Sequence, residues 1–188
     1  MDSNDRFVCL IVRDSAYKDH YQKLVGKDWS YHNYRDSDID MYEEAALALA
    51  EKGYWVFRMG KKVHKPFKAA HPRILDYATS EHRSDFLDIW LSASGSITVA
   101  TNGGVGDISK MFGKPVAFVN ALPLGDINTA MNPNSIWLPK KIIWKNSKKQ
   151  LTLKEQINTG VIGFLHSGDY ENAGVDLIDN SPDEITDT

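Results

Sequence analysis

The chain has 188 residues, enough for one domain with a substantial core and too few for two full-sized nucleotide-binding domains. With 42% apolar and 25% charged residues, five Trp and eight Tyr, it is not a disordered chain, and its net charge of −3 gives no general attraction for nucleic acid. Cys9 is the only cysteine, which excludes a disulfide framework and a cysteine metal cluster; inside an apolar run it is expected to be a buried small hydrophobe in a reducing compartment.

Met1 to Arg6 carries Asp2 and Asp5, and the apolar run after it is too short for a signal peptide. No run approaches membrane-spanning length, so a cytoplasmic chain without a transmembrane segment is expected.

Phe7 to Val12, F-V-C-L-I-V, is a continuous apolar run of the kind buried on both faces of a sheet. It ends directly in Arg13 and Asp14, where a central strand delivers residues to a ligand. Two readings stay open: a surface ion pair between neighbours, or an anion clamp at a catalytic centre. Ser15 to Asp40 is rich in Tyr, His and Asp without clear periodicity and is expected to be a functional loop, for aromatic packing or for substrate contact. His20 and His32 lack the pairing of a zinc motif, and no metal is expected.

Helix signals follow: Ser37 or Asp38 as cap, an apolar stripe of Ile39, Tyr42, Ala45, Ala46 and Leu49, and Gly53 as terminator. Tyr54 to Met59 reads as a second strand whose end carries Arg58, a second arginine near a carboxyl edge. Lys61 to Lys68 is a solvated basic run. Ile74 to Tyr77 is a short strand, and Ser84 caps a helix whose stripe is Phe86, Leu87, Ile89, Trp90 and Leu91, with Asp85 at its positive end.

Ser96 to Asn120 is the central unit. Ile97 to Ala100 is a strand, Thr101 to Gly106 (T-N-G-G-V-G) a glycine loop, Asp107 to Phe112 a helix and Val116 to Val119 a parallel strand. Glycines at the end of a strand let backbone N–H groups approach an anion, and the following helix points its positive end at the same place. Thr101, Asn102, Gly103, Gly104 and Gly106 are therefore phosphate-binding candidates beside Arg13 and Arg58, although G-G-V-G matches neither the Walker loop nor a full dinucleotide fingerprint. The alternation of strands and helices implies an α/β fold with a doubly wound, mainly parallel sheet.

Beyond Asn120, Ile136 to Leu138 and Ile142 to Trp144 are short apolar pieces, Thr152 to Glu155 is a capping box for a helix ended by Gly160, and Val175 to Ile178 is a last strand. Ser181-Pro182-Asp183-Glu184 starts another helix with few residues left to run, which suggests a longer parent or a vestigial element.

Several blocks in order, V-C-L-I-V-R-D-S-A-Y, Y-H-N-Y-R-D-S-D-I, G-Y-W-V-F-R-M-G, H-P-R-I-L-D-Y-A, R-S-D-F-L-D-I-W-L, T-N-G-G-V-G-D and K-P-V-A-F-V-N-A-L-P-L, resemble a group of bacterial glycosyltransferases of surface-polysaccharide type. That group is distantly similar to the arginine-motif fucosyltransferases, and the resemblance runs from about Phe7 to Ile185. It implies the Rossmann-like, carboxyl-terminal, donor-binding half of a GT-B enzyme, taking a nucleotide sugar, with an amino-terminal acceptor domain missing. By the same resemblance Arg13 contacts the donor diphosphate, the Thr101 to Gly106 loop cradles phosphate, and Asp76, Tyr77 and Asp85 lie near the nucleotide. The partners implied are a glycan acceptor and a further domain or chain that supplies the acceptor half. One departure is Ile11, where the pattern often has a histidine two positions before the arginine. Two alternatives stay open: a phosphoribohydrolase-like nucleotide enzyme or sensor, which the glycine loop also resembles, and a donor-binding module without catalysis.

Overall fold

The computed structural model describes residues 5–127 and 133–188; residues 1–4, part of the segment read above for a leader, lie outside them. β1 (Phe7–Ile11) is buried along its whole length, as an apolar run without alternation requires. The chain then leaves the sheet through α1 (Ala16–Val25), a 3-10 turn at Ser30–Arg35, a second at Ile39–Tyr42, and α2 (Glu43–Glu51). β2 (Trp55–Arg58) and β3 (Ile74–Leu75) follow, then α3 (Asp85–Ser94), β4 (Ile97–Ala100), α4 (Gly104–Met111), β5 (Val116–Val119) and β6 (Ser135–Leu138). β1 to β6 form one sheet in the order β3-β2-β1-β4-β5-β6, with every pairing parallel.

This is a Rossmann-like doubly wound sheet, as the alternating pattern implied. Phe7, Cys9 and Ile11 face one way, with Phe57, Met59, Leu91 and Phe118, under α3 and α4. Leu10 and Val12 face the other way, with Tyr42, Ala46, Val56 and Ile185, under α2. Cys9 sits fully inside, and burial pushes its thiol up to about 12. Between α3 and α4 a buried polar tie is complete: Ser109 Oγ lies 2.7 Å from Thr98 Oγ1 and donates to the Ser92 carbonyl.

A small layer completes the described chain. β7 (Lys141–Trp144) pairs antiparallel with β8 (Val175–Ile178), with α5 (Leu153–Thr159) and α6 (Ser167–Asn172) between them in sequence and α7 (Pro182–Thr186) after them. Their core joins Ile142, Leu151, Val161, Tyr170 and Val175 with Tyr34 from the first 3-10 turn. Both capping boxes form, at Thr152 and at Ser181. α7 is short but anchored, because Ile185 is buried against the α2 side of the sheet.

Three expectations change. The segment after Asp14 is largely helical rather than loop; α1 buries only Lys18, so it carries no apolar stripe to read. The stripe of α3 is only partly covered, with Phe86, Ile89 and Trp90 exposed while Leu91 is buried. The short strand expected over Ile74 to Tyr77 stops at Leu75, and Tyr77 opens a 3-10 turn instead.

Arg58 is a fixed point of this frame. Its side chain shares the face of Val56, is 0% exposed, and donates to Asp76 Oδ1 (3.1 Å) and to the Lys65 carbonyl (3.3 Å). Asp76 Oδ2 in turn accepts from the Phe67 N–H and from Thr79 Oγ1, so one carboxylate ties the end of β2 to the middle of the 60–73 connection and to the turn after β3. Removing one member of a buried pair leaves the other uncompensated. Arg58→Ala should therefore lower the unfolding free energy by about 3–5 kcal/mol in urea denaturation, with the far-ultraviolet spectrum of the folded state retained.

Candidate active site at the β1–β4 switch point

From β1 the sheet runs outward through β2 to β3, and from β4 through β5 to β6. The crevice between β1 and β4 at the carboxyl edge is where open α/β sheets bind ligands. Here the ladder continues past the strands. The Thr101 N–H donates to the Ile11 carbonyl (3.0 Å), and the Arg13 N–H donates to Thr101 Oγ1 (2.8 Å). The strand-end arginine and the first residue of the glycine loop are thereby fixed to one another.

Gly103 caps α4 and Gly104 opens it. Neither has a left-handed φ, and a Cβ at either would meet nothing within 4 Å, so their lack of a side chain leaves open space above the loop. Gly106 is different. A Cβ there would come within 3.1 Å of the Ala100 Cβ, so this glycine is set by the close packing of α4 on β4. Asn102 Nδ2 donates to the Leu122 carbonyl and ties the loop to the exit of β5.

Arg13 Nε donates to Asp36 Oδ1 (3.0 Å), and Lys18 Nζ holds the other oxygen of Asp36 (2.9 Å). Lys140 Nζ reaches the Asp36 carbonyl and Asp179 Oδ1 (2.7 Å). The terminal nitrogens of Arg13 have no hydrogen-bond partner among the described residues. Arg35 stands beside this group with no hydrogen bond or ion pair among the described residues, and its Nε is buried. Burial lowers its proton affinity, and repulsion by Arg13 lowers it further. Arg13, Lys18, Arg35 and Lys140 stand here among Asp14, Asp36, Asp126 and Asp179, four cations with four carboxylates.

Behind the crevice, on the α2 side, lies a cavity of about 410 Å³ lined by Asp14, Ser15, Asp36, Asp38, His64 and Lys65 among others. Asp14 accepts from the Ala16 and His64 N–H groups, one on each oxygen, which leaves further lone pairs for hydroxyl donors. Asp14 lines the cavity directly, and Arg13 is bonded to Asp36, which lines it too. No direct ion pair joins Arg13 to Asp14 among the described residues.

The other sequence candidates lie elsewhere. Arg58 has no exposed surface and is committed to Asp76. Tyr77 is buried, its hydroxyl donating to the Ser84 carbonyl and accepting from the Ser84 N–H. Asp85 opens α3 in the open, between Arg83 and Lys61, whose hydrogen bonds hold its carboxyl below the usual range. The structure therefore brings Arg13, Asp14, Thr101, Asn102, Gly103, Gly104 and Gly106 together and sets Arg58, Asp76, Tyr77 and Asp85 apart. Lys18, Arg35, Asp36 and Lys140 were missed; the run Y-H-N-Y-R-D-S-D marked the segment of two of them, and nothing local marks Lys140.

A parallel sheet in this order, with the end of β1 and the glycine loop side by side at its switch point, is a Rossmann-like α/β fold. Comparison with protein-family models, curated proteins and solved structures finds no match.

His32 carries a pH signature of the site. Burial, then Arg35, Arg13 and Lys18, push it down to about 4, whereas an unfolded histidine titrates near ~6.5. The fold favours the neutral ring. The stability this contributes is complete above the unfolded value and is lost as pH falls toward about 4. Thermal unfolding of wild type and His32→Gln between pH 8 and ~4.5 should show wild type losing more on the acid side.

Proposed function

We propose that the chain binds the diphosphate of a nucleotide sugar in the β1–β4 crevice and supplies the donor side of a glycosyl transfer to a polysaccharide or glycoconjugate acceptor. The observation that carries this reading is the 2.8 Å bond from the Arg13 N–H to Thr101 Oγ1, which joins the arginine and the glycine loop into one preformed anion site. The ordered sequence blocks from Phe7 to Ile185 support the same reading. A leaving diphosphate gains charge as the glycosidic bond breaks, and donors already in place stabilise that charge without reorganisation. Arg13 serves as the charge-stabilising group, with N–H groups at the start of α4 beside it. The carboxylates of the neighbouring cavity, Asp14 foremost, accept from hydroxyls of the sugar or ribose.

In this reading a second domain or chain brings the acceptor, and the described half alone binds donor with little turnover, since two-domain transferases complete their site on closure. No helix of the described chain is long and apolar enough to cross a membrane, and the proposed place of work is the cytoplasm.

The test is calorimetric titration of UDP and GDP, then of their sugars, against wild type and variants. A charge-assisted arginine to phosphate contact is worth roughly 1.5–3 kcal/mol, so Arg13→Ala should weaken binding about tenfold to a hundredfold. Arg13→Lys should recover only part, because the fork is lost. Arg6→Ala is the charge control: its guanidinium lies over the Tyr54 ring, and it should bind as wild type does. Equal binding by the two alanine variants would overturn the assignment.

A further inference from the structure

Arg35 is the anomaly of the site. An arginine has five N–H donors and holds its charge throughout the physiological range, so a partly buried one is normally found against a carboxylate or a row of carbonyls. Arg35 has neither among the described residues, and its Nε is cut off from solvent with nothing to donate to. Among the described residues its guanidinium stands over the Tyr34 ring alone, 5.4 Å away, a contact between chain neighbours.

The backbone that carries Arg35 is held firmly. It ends the Ser30–Arg35 turn, whose Tyr34 N–H donates to Ser167 Oγ while Ser167 Oγ donates to the Tyr31 carbonyl, both at 3.1 Å. The Tyr34 ring packs on Tyr170, with centroids 5.3 Å apart. The next residue, Asp36, holds Arg13 on one carboxylate oxygen and Lys18 on the other. A cation has thus been fixed next to a second cation by an otherwise well-satisfied framework. Of the local carboxylates, Asp36 is spent on Arg13 and Lys18, and Asp126 acts on Arg35 only through space.

Such an arrangement is repulsive while empty and favourable once an anion of more than one charge lies between the two guanidinium groups. We propose that Arg35 is the second jaw of the anion site, gripping the same diphosphate as Arg13 from the side of the Ser30–Arg35 turn. This rests on the reading of the crevice as a diphosphate site and adds to it a residue and a preference: two adjacent phosphates are required to span both arginines. One phosphate reaches only one of them well. The site should accordingly discriminate pyrophosphate and nucleoside diphosphates from orthophosphate and nucleoside monophosphates.

The experiment uses the full chain, titrated calorimetrically with UDP, GDP, UMP, GMP and inorganic pyrophosphate, as wild type, Arg13→Ala, Arg35→Ala and Arg35→Lys. Because the Arg35 side chain makes no hydrogen bond among the described residues, Arg35→Ala should keep or slightly raise the urea midpoint of the free protein. The same variant should lose tenfold or more in affinity for the diphosphates and pyrophosphate, lose little for the monophosphates, and be partly rescued by lysine. If wild type binds the diphosphates, Arg13→Ala weakens them and Arg35→Ala does not, the second jaw is overturned and the crevice reading stands. If wild type binds none of the five probes, both fall. A drop in the urea midpoint of Arg35→Ala that accounts for the lost binding would make Arg35 a structural residue and overturn the proposal as well.

Discussion

Asp36 between Arg13 and Lys18 is the interaction on which the arrangement of the site depends. A lone strand-end arginine has a long flexible stem and no fixed aim; here it is held through Nε by one carboxylate oxygen, and its terminal nitrogens have no hydrogen-bond partner among the described residues. The same residue offers its backbone carbonyl to Lys140, so three cations from β1's exit, α1 and the β6–β7 connection meet at one position. Like charges at such spacing repel, and the single carboxylate with Asp179 is what makes the cluster tolerable.

A second layer of polar bonds sets where Asp36 stands. Asn120, fully buried with φ of 54°, accepts from both nitrogens of Asn180 and donates to Ser37 Oγ and the Tyr42 hydroxyl. Asparagine tolerates this left-handed backbone better than most residues, and here its amide is fully used. Ser37 also donates to Asp179 and gives its N–H to the Arg13 carbonyl. The end of β5, the start of α7 and the segment carrying Asp36 are therefore one hydrogen-bonded unit, and the small β7–β8 layer is tied through it to the carboxyl edge of the main sheet.

The sequence made the central unit legible because its signals are local. Unbroken apolar runs at β1 and β5, serine and threonine caps at 84, 152 and 181, and glycines at 53, 113 and 160 each act within a few residues of themselves. Arg13 and the loop at 101–106 could be placed together because parallel strands bring their ends to one edge. The partners of Arg13 could not, since Asp36 and Lys140 come to it across the chain by tertiary packing. Arg58 misled for a related reason: position along a strand tells which edge a residue is near, but whether it faces ligand or core depends on the 60–73 connection folding over it. α1 was hidden because an exposed helix has little apolar periodicity to show.

The order of the sheet also bears on how the chain comes to be folded. β1 is made first and lies in the middle, and its neighbours are far along the chain: Val8 pairs with Val56 on one side and with Ile97 on the other. Every ladder of the main sheet is parallel and spans an intervening connection, so none can close as a local hairpin. During synthesis this wholly buried strand leaves the ribosome before either of its sheet partners and must wait for nearly ninety further residues before both its edges are covered. Until then F-V-C-L-I-V is a sticky, strand-prone segment of a nascent chain, the kind that holdase chaperones cover and that drives aggregation when synthesis outruns them.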